Sequence, residues 1–249
     1  MQPTICFFVA LGFLAGAAAL QADGLGSFYR SLSTTPYGYR IVPDPTGSAS
    51  APIVQRFEVR PGDCGETRGF SDCATDRERS ELAQDRSNRI RPNTESWYGW
   101  SLYLPDDFPN VFPTKTVLGQ FHQTVSNPVF MFLHTADGLV LANHVARGAK
   151  DLLIPEEDLR GAWHKVEVHA RWSLMPDGFF RVYVAGVLRS EYRGVTMTVR
   201  EVYLKYGVYR SFVSRYRNAI GVRDVPTQIA FFSGVTAARA REGLFDAAQ

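Results

Sequence analysis

The chain is poor in the features that mark a nucleic-acid binder, a metalloprotein or a polytopic membrane protein. Its 27 basic and 25 acidic residues leave a net charge of +2, so any electrostatic function has to come from local clustering rather than from the total. Only three cysteines occur in 249 residues, with no second pair and no neighbouring histidine to complete a zinc site. No segment has the spacing of a dedicated calcium loop. Structural calcium, for which Asp63, Asp72, Asp76 and Asp224 are available, is therefore left unassigned. There is no internal repeat, no low-complexity tract and no sign of a second domain. A single long apolar run, residues 5 to 20, precedes the first acid at Asp23. It reads as a secretory signal spanning 1–22 and cleaved after Ala19 or Ala22, although its start lacks Lys and Arg. Removing it takes away Cys6 and leaves Cys64 and Cys73 as one disulfide pair in an oxidising compartment. Closing so short a loop contributes roughly 2 to 3 kcal/mol. The expectation is a secreted or periplasmic protein, without a membrane anchor after cleavage and with no nucleic-acid partner. No sequence signal bears on oligomeric state, and a monomer is expected.

What the chain does have is short alternation. Residues 23–52 are rich in Gly, Ser, Thr and Pro and read as an irregular lead-in. From residue 53 to 249, segments of period two broken by turn residues predict one all-β domain of antiparallel sandwich type. Strands are expected near 53–60, 78–84, 97–104, 117–124, 129–134, 139–144, 163–173, 179–186, 202–212 and 228–235. The clearest has Val166, Val168, Ala170, Trp172 and Leu174 inward and Lys165, Glu167, His169, Arg171 and Ser173 outward, followed by a Met175-Pro176-Asp177-Gly178 turn into a hairpin. Short helices are expected at 155–160 and in the Ala-rich tail from Thr236 to Ala248.

One strand does not read as scaffold. In the run from Tyr203 to Ser211, Tyr203, Lys205, Gly207 and Tyr209 fall on one face, opposite Leu204, Tyr206 and Val208. Two phenols, an ammonium and a glycine on one side suggest a groove for an anionic ligand, because each polar tip needs a partner and glycine weakens a strand. Arg200, Lys205, Arg210, Arg215, Arg217 and Arg223 cluster here against Glu201 alone, which reads equally as a solvated basic surface. Two further segments place polar pairs at i and i+2: Arg79 with Glu81, and Gln120 with His122. Singly, each is commonly an ion pair or a hydrogen-bonded histidine. Together they supply the parts needed to break a uronic acid chain by β-elimination. Arg79 and Gln120 can neutralise the carboxylate beside the C5 proton. His122 can take that proton, and Tyr209 can protonate the leaving oxygen or, as a phenolate favoured by Lys205 and Arg79, act as the base itself.

Arg79-Ser80-Glu81-Leu82, Gln120-Phe121-His122 and Tyr203-Leu204-Lys205-Tyr206-Gly207-Val208-Tyr209 resemble, in order, the three signature blocks of alginate-lyase-type polysaccharide lyases. The segments around Trp97-Tyr98-Gly99-Trp100-Ser101, Gly119 to Gln123 and Trp163-His164-Lys165 are closer still to the glucuronan lyase and heparin-lyase-I-like group. The resemblance covers roughly residues 53 to 236. It implies a β-jelly roll of concanavalin-like type with a concave groove, acting on an acidic polysaccharide without a redox cofactor. It makes Tyr209, His122, Gln120 and Arg79 catalytic and Lys205 and Tyr203 substrate contacts; Glu81 and Arg210, in or beside the same blocks, are expected as further substrate contacts. Tyr206 and Arg210-Ser211 depart from the alginate-lyase pattern and favour another uronate polymer, glucuronan first. Two other readings are a glycoside hydrolase, for which the Glu156-Glu157-Asp158 run supplies acids off any strand, and a noncatalytic carbohydrate-binding module. Among the remaining histidines, His134, His144, His164 and His169, His144 beside Asn143 is the best candidate for a further groove residue.

Overall fold

A computed structural model describes residues 21–22 and 25–244; the expected signal segment lies almost wholly outside them. The chain forms β1 (Gln21–Ala22), β2 (Gly26–Arg30), β3 (Tyr39–Pro43) and β4 (Ile53–Val59), then a small hairpin of β5 (Glu66–Thr67) and β6 (Phe70–Ser71). There follow β7 (Arg77–Gln84), β8 (Thr94–Tyr103), β9 (Lys115–Gln123), β10 (Phe130–Thr135), β11 (Gly138–Asn143) and β12 (Ala149–Pro155). The chain continues through β13 (Trp163–Trp172), β14 (Phe179–Val184), β15 (Val187–Arg193) and β16 (Val202–Ser211), a helix α1 (Val213–Ile220), and β17 (Gln228–Ala238).

Two antiparallel sheets make a jelly-roll sandwich. One has eight strands in the order β1-β2-β7-β16-β9-β10-β11-β12, and the other seven in the order β15-β14-β13-β8-β17-β4-β3. All ten expected strands are present, and the hairpin at the Pro176-Asp177 turn pairs Val166 with Val184 and Ala170 with Phe180. Alternation explains the core. Tyr98, Trp100 and Leu102 of β8, Val166, Val168 and Trp172 of β13, and Leu204, Tyr206 and Val208 of β16 meet between the sheets. Trp172 is fully buried, and its indole N–H donates to the Tyr98 hydroxyl at 2.9 Å.

Several expectations need correction. The lead-in is not irregular throughout: β2 pairs with β7 and β3 with β4, because short five-residue strands can join a sheet margin without a long apolar period. The Ala-rich tail is not one helix. Thr236, Ala237 and Ala238 continue β17 opposite Gly99, Tyr98 and Trp97, and among the described residues only a 3₁₀ turn, Arg241–Leu244, follows. Tertiary pairing overrides alanine's helix propensity there. Residues 155–160 hold a single 3₁₀ turn, Glu156–Asp158. Helix α1 was not expected: it has one buried residue, Val213, and hence no apolar stripe to read. The cysteine pairing is as expected, with Cys64 bonded to Cys73 and their Cα atoms 5.1 Å apart. Among the described residues no helix is long and apolar enough to cross a membrane.

Candidate active site

Three adjacent central strands, β7, β16 and β9, carry the polar residues on the face turned away from the seven-stranded sheet. Their register sets the side chains beside one another: Tyr209 lies opposite Arg79, Gly207 opposite Glu81, Lys205 opposite Gln120, and Tyr203 opposite His122. The pairing of β16 with β9 shifts between Tyr206 and Tyr209, a bulge that follows Gly207. Gly207 has φ +129°, and a Cβ there would stand 2.4 Å from the Ser80 carbonyl oxygen and 2.7 Å from Phe57 Cδ1. Only glycine fits, and the row between Lys205 and Tyr209 is left without a side chain.

Glu81 is the hub beneath. Its buried carboxylate accepts from Lys205 Nζ at 2.6 Å, Gln120 Nε2 at 2.7 Å and Arg79 Nη1 at 3.2 Å. Burial pushes its pKa up, but Lys205 and Arg79 outweigh that and hold it below the usual range. Arg79 is gripped on its other side by Asp72, with Nε to Oδ2 at 2.6 Å and Nη2 to Oδ1 at 2.5 Å. It thus spends three of its five N–H donors and keeps two. Gln120 keeps its second amide hydrogen, and its Oε1 is buried with no hydrogen-bond partner. An unpaired buried amide oxygen costs free energy, and a ligand donor would recover it.

Above this floor stand three half-buried rings. The Tyr209 ring has Arg79 Cζ 4.5 Å and Lys205 Nζ 6.0 Å from its centroid. Its hydroxyl accepts from Arg77 Nε at 2.7 Å, so its own proton is free to be given away. Burial raises its pKa, with Arg79 and Arg77 acting in the opposite sense. His122 makes a 2.7 Å hydrogen bond from Nδ1 to the Gln123 carbonyl. A carbonyl only accepts, so Nδ1 carries the proton and the lone pair is on Nε2. Burial, then Lys205, lowers the His122 pKa to about 4. The ring is neutral at pH 7. Tyr203 lies 5.3 Å from the His122 ring, under Arg89 at 4.5 Å, and its pKa is pushed up to about 12 by burial.

The structure therefore brings Arg79, Gln120, His122, Tyr209, Lys205, Tyr203 and Glu81 to one face, with Glu81 as an internal tie rather than an exposed contact. Arg210 does not join them. It is fully buried on the core side, paired with Glu78 at 2.5 Å and donating to the Pro226 carbonyl at 2.6 Å. The reason is parity, since Arg210 shares the face of Tyr206 and Val208. Tyr206 is also interior, packed edge-on to Phe28 and Phe57. The departures from the alginate-lyase pattern at Tyr206 and Arg210 thus sit in the core and do not touch the groove, whereas Ser211, opposite Arg77 and Lys115, shares the parity of Tyr209. Two residues of the site were not expected in it. Arg77 shares Arg79's face at i−2 and could have been found by the same spacing; Asp72, named only as an acid available for calcium, lies in the disulfide loop, where no period points to it. Of the acids available for calcium, Asp63 accepts from Tyr37 and Asp76 from Ser214. Among the described residues no group of three His, Cys, Asp or Glu side chains is placed to hold a metal ion.

The model of the polysaccharide lyase family matches residues 11–236. The chain belongs to the polysaccharide lyase family. It is accordingly an enzyme that acts on a polysaccharide. Solved lyases share its fold at low identity. An endo-β-1,4-glucuronan lyase from the fungus Trichoderma reesei is 15% identical, over 85% of this chain and 90% of that one, with a TM-score of 0.59. Alginate lyase A1-II′, of polysaccharide lyase family 7, is 16% identical over 87% and 96%, with a TM-score of 0.58. An alginate lyase from Pseudomonas aeruginosa is 18% identical over 83% and 87%, with a TM-score of 0.52. No curated protein sequence matches the chain.

Proposed function

We propose that this lyase cleaves a uronic acid polysaccharide by β-elimination, with glucuronan the first substrate to test. The observation that carries the reading is the charge balance of the site: Arg77, Arg79 and Lys205 stand against two buried carboxylates, Glu81 and Asp72. One cation is in surplus, which suits one substrate carboxylate. The free N–H groups of Arg79 and the second amide hydrogen of Gln120 neutralise that carboxylate as charge builds on the enolate-like intermediate. His122 Nε2 takes the C5 proton. The electron pair left behind forms the C4–C5 double bond, the bond from C4 to the glycosidic oxygen breaks, and that oxygen takes the Tyr209 proton.

Hydrolysis is disfavoured by the same geometry. A glycoside hydrolase needs a protonated carboxyl and a second carboxylate across the bond. Here Glu81 is held ionised by two cations and Asp72 is locked to Arg79. Glu156 of the acidic run is engaged by His134 and Arg160 instead. Glucuronan comes first because the chain's blocks are closest to the glucuronan lyase group, and an enzyme of that activity has the same fold. Export to the periplasm or medium fits a polymeric substrate and the Cys64–Cys73 bond. The test is a panel of glucuronan, alginate, heparan-type chains and xanthan-like polymers, followed by product absorbance. The expected result is a rising ultraviolet signal from the new conjugated double bond. New reducing ends without that chromophore would establish hydrolysis, and binding without turnover would establish a lectin.

A further inference from the structure

A straight row of registered neighbours leads from the catalytic cluster across the same face. Lys205 is opposite Gln120, Gln120 opposite Met131, Met131 opposite Ala142, and Ala142 opposite Lys150. The row starts on β16 and ends on the last strand of the sheet, β12, four strand spacings or about 19 Å away. Its middle is apolar: Val117, Met131, Leu133, Val140 and Ala142 pack together, with Tyr209 at their margin. Its far end is basic. A cavity of about 230 Å³ there is lined by Lys115, Lys150, Arg215 and His144, with the exposed rings of Phe112 and Phe212 also on its wall.

No carboxylate neutralises these cations. None of Lys115, Lys150 and Arg215 forms an ion pair among the described residues; Lys115 Nζ has only the Met131 sulfur at 3.8 Å, and Arg215 stacks 4.0 Å over Phe212. Asp151, next to Lys150, accepts instead from Ser190 on the other sheet at 2.6 Å. Glu156 contacts the lining residue His134, and Arg160 and Asn110 share it. Burial, then Lys150 and Arg215, keeps the Lys115 pKa below its usual range, and burial, then Lys115 and Lys150, does the same for His144. The charges that act on Lys115 and His144 are all basic. Assembling like charges beside a partly buried ammonium is unfavourable until an anion occupies the space between them.

We propose that this cavity is a distal carboxylate subsite, in which Lys115, Lys150 and Arg215 hold the acid group of a uronate several sugar units from the bond being cleaved. The proposal rests on the reading of the central site as a uronate lyase and adds to it. The substrate lies across the strands, and its carboxylates are met at both ends. A long acidic chain is then bound better than a short one, and a polymer bearing acid on only occasional units loses that advantage.

Lys150 and Arg215 are exposed, so their truncation leaves the fold intact. Steady-state kinetics on size-defined uronate oligomers, from those filling only the catalytic centre to those spanning the row, reads the effect directly. The wild-type KM is expected to fall with length. Lys150→Ala or Arg215→Ala should shrink that gain by up to about five-fold, and Lys150→Arg should restore it. The same length dependence in the wild type and every variant would overturn the distal subsite while leaving the lyase reading intact. If the wild type formed no unsaturated product from any oligomer, the lyase reading would fall and this inference with it.

Discussion

In the proposed elimination Tyr209 is the residue on which the chemistry turns, because its hydroxyl has Arg77 as donor and no acceptor committed to its own proton. Tyr209→Phe deletes one oxygen and leaves the ring packed under Arg79. The fold should lose no more than about 1 kcal/mol, the net worth of one hydrogen bond. Turnover should drop by a factor of about 100 or more, the range of a lost general acid. Thermal melting and product absorbance check the two halves, and near-normal turnover in a folded variant would sink the mechanism. His122 makes a claim about pH. Its folded pKa of about 4 lies below the ordinary histidine value of 6.5, so the proposed base is neutral from pH 5 upward. The acid limb of kcat/KM should therefore fall near pH 4, and a limb at 6.5 would show His122 to be an exposed, ordinary histidine. Linkage gives the sign for stability. Between 6.5 and 4 the unfolded chain binds the proton and the native chain does not, so stability drops as pH falls through that window. The residue types of this site were legible in the sequence because every one of them except Asp72 lies on a strand of period two. The burial that lowers the His122 pKa was not legible, because it comes from neighbours on other strands.

At the scale of elements, β16 shows where a period-two reading succeeds and where it stops. Alternation placed Tyr203, Lys205 and Tyr209 together, and they are together. Arg210, expected as a substrate contact, is not with them, because the same alternation turns its side chain into the core against Glu78. Strands with one clean apolar face, such as β8 and β13, could be read residue by residue. Strands β12 and β15 could not, because Ala149 to Leu152 and Val187 to Arg189 are exposed and carry no contrast between faces. The bulge after Gly207 is a tertiary feature with a sharp consequence. Gly207→Ala would force a side chain into the Ser80 carbonyl and the Phe57 ring at a backbone angle that L-residues avoid. A loss of about 2 kcal/mol or more is expected, lowering the melting temperature by roughly 5 °C. Gly119→Ala is the control on the neighbouring strand: its closest contact is Phe132 Cδ2 at 3.5 Å, an ordinary van der Waals distance. Equal melting temperatures for the two variants would remove the argument that the bulge requires glycine.

Across the whole molecule, the disulfide loop joins parts that are distant in sequence into one wall of the site. Cys64 and Cys73 close the segment that holds Asp72, and Asp72 both grips Arg79 through its carboxylate and accepts the Arg77 amide through its carbonyl at 2.9 Å. Four residues beyond Asp72, Asp76 accepts from the Ser214 amide at 3.0 Å at the start of α1. The loop therefore sets two arginines around Tyr209 and anchors the helix that follows β16. Replacing both cysteines by serine should cost roughly 2 to 3 kcal/mol through the freed unfolded chain. If the loop only added stability, activity measured well below the melting point would be unchanged. The geometry demands more: with Asp72 no longer held, Arg79 keeps Glu81 alone and loses the bidentate grip that fixes its plane. The double variant should thus lose kcat at temperatures where it is fully folded. Asp72→Asn with the disulfide intact should show the same loss, because an amide accepts through one oxygen and cannot match both guanidinium nitrogens. Full kcat in both variants at low temperature would reduce the loop to a structural clamp, whereas a shared loss would make Asp72 the residue that positions Arg79.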